Sequence, residues 1–428
     1  MHPDAHARDA GPERPRRRRR RIALALLLAA LALALVWLTR PPQVAGLVVA
    51  QLGKALDLAI TAEGVSEYTW RGAPSITLRE VIARRPGESV PLLRARRVHV
   101  ELPWRTLRAR GAPLVVTRIE LDAPEIDLPA LQRWLAARPP TEPGRVFLLT
   151  DGLAVEHGVL RGEGWRVEGI TLDVPRYGGD FALEGELRGR YVGGALAADF
   201  ALEGRADRAT LPTPVRLDGT VRVETATWAM PAWLTASGAL HAADGGFAIR
   251  PLRLGVAARY LAHEATVPFR VGAYGPLAFA DGRLAMEPAT LALRPQEGVA
   301  PALMPVLRAR GALGVGETLR LDLRGALADW PDTWPALPAP VGPSDAPLPF
   351  ALRYAGPTDL AAPVELHLAR DAATFDARFR LPAVLDWLDA GLTQSPLPPL
   401  DGRLRAPRLE VAGATLEGVE IELGDAAP

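Results

Sequence analysis

From Leu58 onward, apolar and polar residues alternate with a period of two. Val98, Val100 and Leu102 alternate with Arg97, His99 and Glu101, and Phe181, Leu183 and Leu187 with Glu184, Glu186 and Arg188. Leu196, Ala198, Phe200 and Leu202 face away from Asp199 and Glu203, while Val215, Leu217, Val221 and Val223 alternate with Arg216, Asp218, Thr220 and Arg222. The pattern returns at Leu319–Leu323, Phe375–Leu381 and Val419–Leu423. Successive side chains of a strand point to opposite faces, so this period predicts antiparallel sheet with one dry and one wet side.

A loose unit recurs within the alternation, written apolar-polar-Gly-x-apolar, around Gly185, Gly204, Gly219, Gly238, Gly282, Gly311, Gly325, Gly402 and Gly418. Several of its spacings fit one hairpin per repeat, and its glycine is expected to supply a turn or bulge closed to other residues. Two helices interrupt the strands. Asp127 caps a segment through Arg138 with Leu128, Leu131, Trp134 and Leu135 at helical spacing, stopped by Pro139-Pro140. The second covers Ala383 to Ala390, with Val384, Leu385 and Leu388 on one face and Gly391 as C-cap. The Pro-rich stretch from Trp330 to Pro349 is a loop or linker and a candidate domain boundary.

The pattern differs ahead of the strands. Ile22 to Leu38 is an uncharged run of Leu, Ala, Ile, Val and one Trp, just long enough as a helix to cross a thin bilayer. Arg16, Arg17, Arg18, Arg19, Arg20 and Arg21 precede it, which keeps that end cytoplasmic and translocates the C-terminal side. An uncleaved single-pass anchor is the preferred reading. The alternative, a cleaved signal peptide, finds its small-x-small triplets inside the apolar run rather than after it. Residues 1–21 read as a basic, disordered tail. After Pro41-Pro42 a short amphipathic helix is expected, with Val48, Leu52, Ala55 and Leu56 near one face.

The formal net charge of +1 hides this asymmetry. Residues 1–21 carry +5, and the remainder, with 42 basic and 46 acidic residues, carries −4. A mildly acidic chain of mixed sign does not have the basic footprint of a nucleic-acid binder. There are no cysteines, so disulfides and thiolate metal sites are excluded. The seven histidines are scattered, and no Gly-x-Ser-x-Gly, His-Glu-x-x-His or phosphate-cradling loop occurs. The reading is therefore of a protein that is not an enzyme and has no metal or cofactor. The acidic cluster Glu120, Asp122, Glu125 and Asp127 is read as the wet face of a strand followed by a helix cap.

Both ends of the chain resemble the AsmA-like family of envelope proteins. The resemblance rests on the apolar run, then Leu58-Ala-Ile-Thr-Ala-Glu-Gly-Val65, Trp70-Arg-Gly-Ala-Pro-Ser-Ile-Thr-Leu78, Val98-His-Val-Glu-Leu-Pro-Trp104 and Ile119-Glu-Leu-Asp-Ala-Pro124. The segment from Leu400 to Val419 is similar to the closing repeats of that family. The resemblance implies an inner-membrane, single-pass protein with its bulk in the periplasm. It implies a mainly β fold: an N-terminal transmembrane helix, then an elongated antiparallel groove of repeated hairpins with a few short helices. Its parts would be a tail at 1–21, an anchor at 22–38, an N-terminal AsmA-like region at 43–140 and a groove region at 141–428. With about 20 strands at roughly 4.8 Å each, the groove would be on the order of 100 Å long.

The function so implied is lipid handling or outer-membrane assembly, with phospholipid acyl chains held on the apolar face. The groove-lining candidates are Val98, Val100, Leu102, Phe181, Leu183, Leu196, Phe200, Leu202, Val215, Leu217, Val221, Leu319, Leu321, Phe375 and Phe379. Two alternatives stay open. The apolar stripes equally suit the closed core of a β-sandwich. The second alternative, for function, is a tethered structural or interaction module that offers sheet edges to envelope partner proteins.

Overall fold

The computed structural model describes residues 53, 57–69, 74–103, 115–137, 148–178, 181–243, 246–262, 265–280, 282–296, 304–332, 346–357, 360–389, 399–411 and 414–424. The anchor run, its arginine tract and the amphipathic segment after Pro42 lie outside these residues. Among the described residues, no helix is long and apolar enough to cross a membrane.

The chain is mainly β, built around one large, mostly antiparallel sheet. It opens with β1 (Ala59–Thr61), β2 (Gly64–Thr69), β3 (Ser75–Arg84), β4 (Leu93–Glu101), β5 (Val115–Val116), β6 (Arg118–Asp122) and β7 (Glu125–Asp127). Helix α1 (Leu128–Ala136) and β8 (Leu148–Leu149) come next. A long meander then runs through β9 (Leu153–Arg161), β10 (Trp165–Val174), β11 (Leu183–Gly193), β12 (Leu196–Ala206) and β13 (Thr213–Glu224). It continues through β14 (Trp228–Ala243), β15 (Gly246–Ala262), β16 (Ala265–Ala280), β17 (Arg283–Pro295), β18 (Val306–Val315) and β19 (Leu319–Ala328). The last elements are β20 (Leu348–Gly356), β21 (Val364–Arg370), β22 (Ala373–Phe379), α2 (Leu381–Asp389), β23 (Leu400–Val411) and β24 (Ala414–Leu423).

Each strand from β9 to β24 pairs with the next in sequence, always antiparallel. The exceptional connection joins β6 and β7 to β9 in parallel, the crossover that α1 spans. Pairing therefore runs unbroken across residue 140. It also continues directly from β19 to β20, so the Pro-rich stretch after Trp330 leaves the sheet intact. The 22 strands occupy 20 places, because β1 with β2, and β6 with β7, share a place beside β3 and β4. At about 4.8 Å per step the ladder is roughly 90 Å long.

Helix α1 forms where the spacing predicts it. The Asp127 carboxylate accepts a hydrogen bond from the Ala130 amide at 2.8 Å, satisfying one of the donors left free at a helix start. Helix α2 starts two residues before the predicted Ala383. Most glycines of the repeated unit are not in turns. Gly185, Gly204, Gly219, Gly238, Gly311, Gly325, Gly402 and Gly418 sit inside strands, where Gly219, Gly311 and Gly418 take positive φ and Gly238 and Gly311 lie at shifts of register, as expected of bulges, whereas Gly282, at φ +71°, makes the turn between β16 and β17.

Candidate functional site

Cross-strand partners share a face, so the register assigns every side chain. Val98 and Val100 pair with Leu121 and Ile119. Leu187 pairs with Leu202, Phe200 with Val221, and Gly204 with Leu217. Further along, Val221 pairs with Ala232, Val256 with Val271, Leu313 with Leu321, and Leu321 with Tyr354. Phe375 joins Leu368 to Leu404. These residues make one face that is apolar or glycine at nearly every place on the ladder. The strand-borne candidates Val98, Val100, Leu183, Leu196, Phe200, Leu202, Val215, Leu217, Val221, Leu319, Leu321, Phe375 and Phe379 all belong to it. Leu102 lies one residue past β4, its amide donating to the Pro74 carbonyl, and Phe181 lies two residues before β11. There the Phe181 ring meets Arg176 at 5.4 Å.

Staying on one face requires corrections to strict alternation. Arg79 and Glu80 are both exposed, Glu80 adopts φ +47°, and the buried Val81 comes next. This irregularity keeps Ile76, Leu78 and Val81 in one buried cluster although their spacing breaks the period of two. Shifts of register within β15, β16 and β17 do the same for Ile249 and Leu252 and for Met286 and Ala289.

Among the described residues the buried clusters of the apolar face are formed by the sheet's own strands and the residues beside them. Outside the large sheet there are only the two-residue strands β5 and β8 and the two short helices among the described residues. Toward the C-terminal end the face is tight, with Leu323, Leu348, Phe350, Leu368 and Leu404 buried in one cluster. It is also closed around Ile76, Leu78 and Val81 and around Leu252, Met286 and Ala289, but open between them, where Leu196 and Leu217 are each 36% exposed, and at the last strand, where Ile421 is 37% exposed. Aromatic pairs mark its two long borders. Trp165 with Tyr191 and Trp228 with Tyr260 stand 5.8 Å apart at one border, and Phe247 stacks on Phe279 at 5.3 Å along the other. At the first border the Trp and Tyr rings, each with a polar tip, suit a boundary between apolar surface and water.

The opposite face is charged and laced with ion pairs. Arg96 donates to Asp122 at 2.8 Å, and Arg97 to Glu120 at 2.6 Å. Arg118 donates to the other Glu120 oxygen at 2.8 Å, a bond that holds the Glu120 carboxyl below its ordinary range and raises the guanidinium. The hydrogen bond from Arg96 lowers Asp122 in the same way, with help from His157. Arg190 bridges Asp199 and Glu224, at 2.6 Å to each, and lowers Glu224. The acidic cluster seen in the sequence is thus a strand face matched by arginines, with Asp127 as helix cap.

Asp122, Glu156 and His157 bring one ligand atom each within 4.8 Å of one another, the arrangement a cation would need. Here Asp122 gives one oxygen to Arg96 and the other faces His157 Nδ1 at 3.3 Å. A guanidinium at that position repels a metal ion, so the cluster is an ion-pair knot. Sequence reasoning passed over a second feature of this face, a strip formed by Arg253, Arg259, Arg270, Arg308, Arg310 and Arg324 on the central strands, none of which has a carboxylate within 4.0 Å among the described residues. It would have been found by counting charge on one parity of each strand instead of over the whole chain.

Comparison with family models, curated proteins and solved structures finds no match to this chain.

Proposed function

We propose that the chain is a lipid-handling or assembly protein of the cell envelope, in which the apolar face of the sheet forms an elongated groove that holds acyl chains. One observation carries this reading: a single face stays apolar across the ladder while large side chains such as Leu196 and Leu217 remain over a third exposed. A soluble protein rarely leaves so extended an apolar surface uncovered unless it receives something. The depressions of 480 to 970 Å³ open on the polar face, so an acyl chain would lie along the apolar side chains instead of entering a preformed pocket. Each methylene removed from water would contribute about 0.8 kcal/mol before ordering costs. Such holding needs no catalytic group. The apolar run at Ile22–Leu38 would tether one end of the sheet to the inner membrane, with the sheet in the periplasm.

The test is site-specific photocrosslinking of the full chain in cells. A benzophenone amino acid at Leu202 or Leu321 should yield lipid adducts by mass, and one at Glu186, on the polar face, should not. Absence of adducts from both apolar positions, or equal adducts from Glu186, would reject the reading.

A second reading is favoured by the last strand. Among the described residues β24 is paired on one side only, by β23, and it carries the exposed Leu416 and Ile421. An edge of this kind accepts a strand from an envelope partner protein.

A further inference from the structure

The polar face changes character at its centre. Near the C-terminal end, cross-strand partners alternate in sign: Asp322 opposes Arg353, which opposes Glu365, then Arg378, then Asp401. Opposite charges facing each other stabilise a sheet, and like charges destabilise it. On β15 to β19 the rule is broken. Arg270 is the direct partner of Arg294, and Arg310 of Arg324. Among the described residues, Arg253, Arg259, Arg270, Arg308, Arg310 and Arg324 are exposed and have no carboxylate within 4.0 Å. The neighbouring acids do not balance them: Asp199 and Glu224 are held by Arg190, and Asp322, beside Arg324 on β19, is held by Arg353, leaving Asp218 on β13.

Three adjoining depressions of 810, 730 and 480 Å³ occupy this region, and Trp233 lines all three. Gly255, Ala257, Gly272 and Ala292 give them a floor without bulk. Trp233 and Tyr274 stand beside that floor, each 50% exposed. From β15 to β19 and from Arg253 to Arg259 the basic area measures roughly 20 Å in each direction.

We propose that this central area of the polar face binds the phosphate-bearing headgroups of anionic lipid. Unopposed arginines cost the free sheet stability, and a layer of phosphates would remove that cost through charge-assisted hydrogen bonds. The area is too wide for one small anion and too open to enclose one. Half-exposed Trp and Tyr among arginines are the side chains that settle at headgroup level. Single-stranded nucleic acid also uses arginines and aromatic rings. The lipid is favoured because the same chain carries a 17-residue apolar run behind six arginines, which sets it beside a membrane. The proposal is independent of any cargo on the apolar face.

The experiment uses the full chain in neutral maltoside micelles and reads tryptophan emission, taking the difference between the chain and W233F as the signal of Trp233. Mixed micelles with phosphatidylglycerol should shift that signal saturably, and phosphatidylcholine should not. The triple variant R253E/R270E/R308E should weaken the response at least tenfold, while R253K/R270K/R308K keeps it. If the glutamate triple loses its sheet spectrum by circular dichroism, the single variant R270E decides, with an expected loss of about twofold to threefold. No response to phosphatidylglycerol, an equal response to phosphatidylcholine, or a response unchanged by the charge reversals overturns the proposal. So does tighter binding of inorganic pyrophosphate or of a single-stranded oligonucleotide, which would assign the arginines to free phosphate or to nucleic acid.

Discussion

The ring of Phe200 lies across Gly189, its direct partner on the neighbouring strand, so that a Cβ added to Gly189 would stand 2.9 Å from Phe200 Cζ. A glycine inside a strand is costly by itself, and an aromatic ring laid over it recovers contact. A diagonal version of the contact occurs at Gly402, which pairs with Ala377 and has the Phe375 ring beside it. Gly189 and Gly402 thus leave room for a neighbour's ring, whereas Gly219, Gly311 and Gly325 leave room for neighbouring backbone.

Gly189→Ala should force the Phe200 ring to rotate, at a loss of about 1 kcal/mol in chemical denaturation. Gly325→Ala should cost more, about 2–3 kcal/mol, because its new Cβ would overlap the backbone carbonyl of Arg308, which cannot swing away. Equal losses would mean that the strands shift freely around both sites.

Position along the apolar face should separate surface from core. Leu217→Asp, at a side chain already 36% exposed, should change unfolding free energy by less than about 1 kcal/mol. Phe350→Ala, in the buried C-terminal cluster, should cost about 3–5 kcal/mol. A large loss at Leu217 would place that residue inside a closed core and would count against the groove.

The acid side of the stability profile should reflect the arginine-bound carboxylates. Glu120 and Asp122 titrate below their ordinary values of 4.5 and 3.8 in the folded chain. In that window the unfolded chain binds more protons than the folded one, so stability falls as the pH drops from these values through the lower folded ones. Thermal melts between pH 5 and 2 should show the decline, and Arg96→Gln with Arg118→Gln should flatten it. A profile unchanged by both substitutions would remove these pairs as its cause.

The cap of α1 offers a local test. Asp127→Ala should cost about 1 kcal/mol, whereas Asp127→Asn, which still accepts from the Ala130 amide, should cost a few tenths. Helix α1 is too small a share of the described residues to follow by circular dichroism, so amide exchange at Ala130 is the appropriate measurement.

Much of the sheet was legible because period-two alternation is a local property. Phe200, Leu202, Leu217 and Val221 announce their shared face without knowledge of any partner strand. The glycines were legible only in part: Gly219, Gly282, Gly311 and Gly418 do take the positive φ expected of a turn or bulge, whereas the use of others depends on the neighbouring strand, Gly325 being explained by Arg308 and by its cross-strand partner Phe350. Ile76 and Val81 fall on one face only through the irregularity at Glu80, which period counting does not register.

By itself the sequence determined strand content, the dry and wet parities, the start of α1 at Asp127 and the asymmetry of charge around Ile22–Leu38. All of these arise from residues within a few positions of one another. Only the tertiary structure decided that the dry parity forms one face of a single ladder and that the pairing continues past residue 140 and past the Pro-rich stretch. It alone set Arg310 opposite Arg324 with no acid between them. Register couples residues distant in sequence, and it turns a nearly neutral composition into a sheet whose charge is balanced at its C-terminal end and unopposed at its centre.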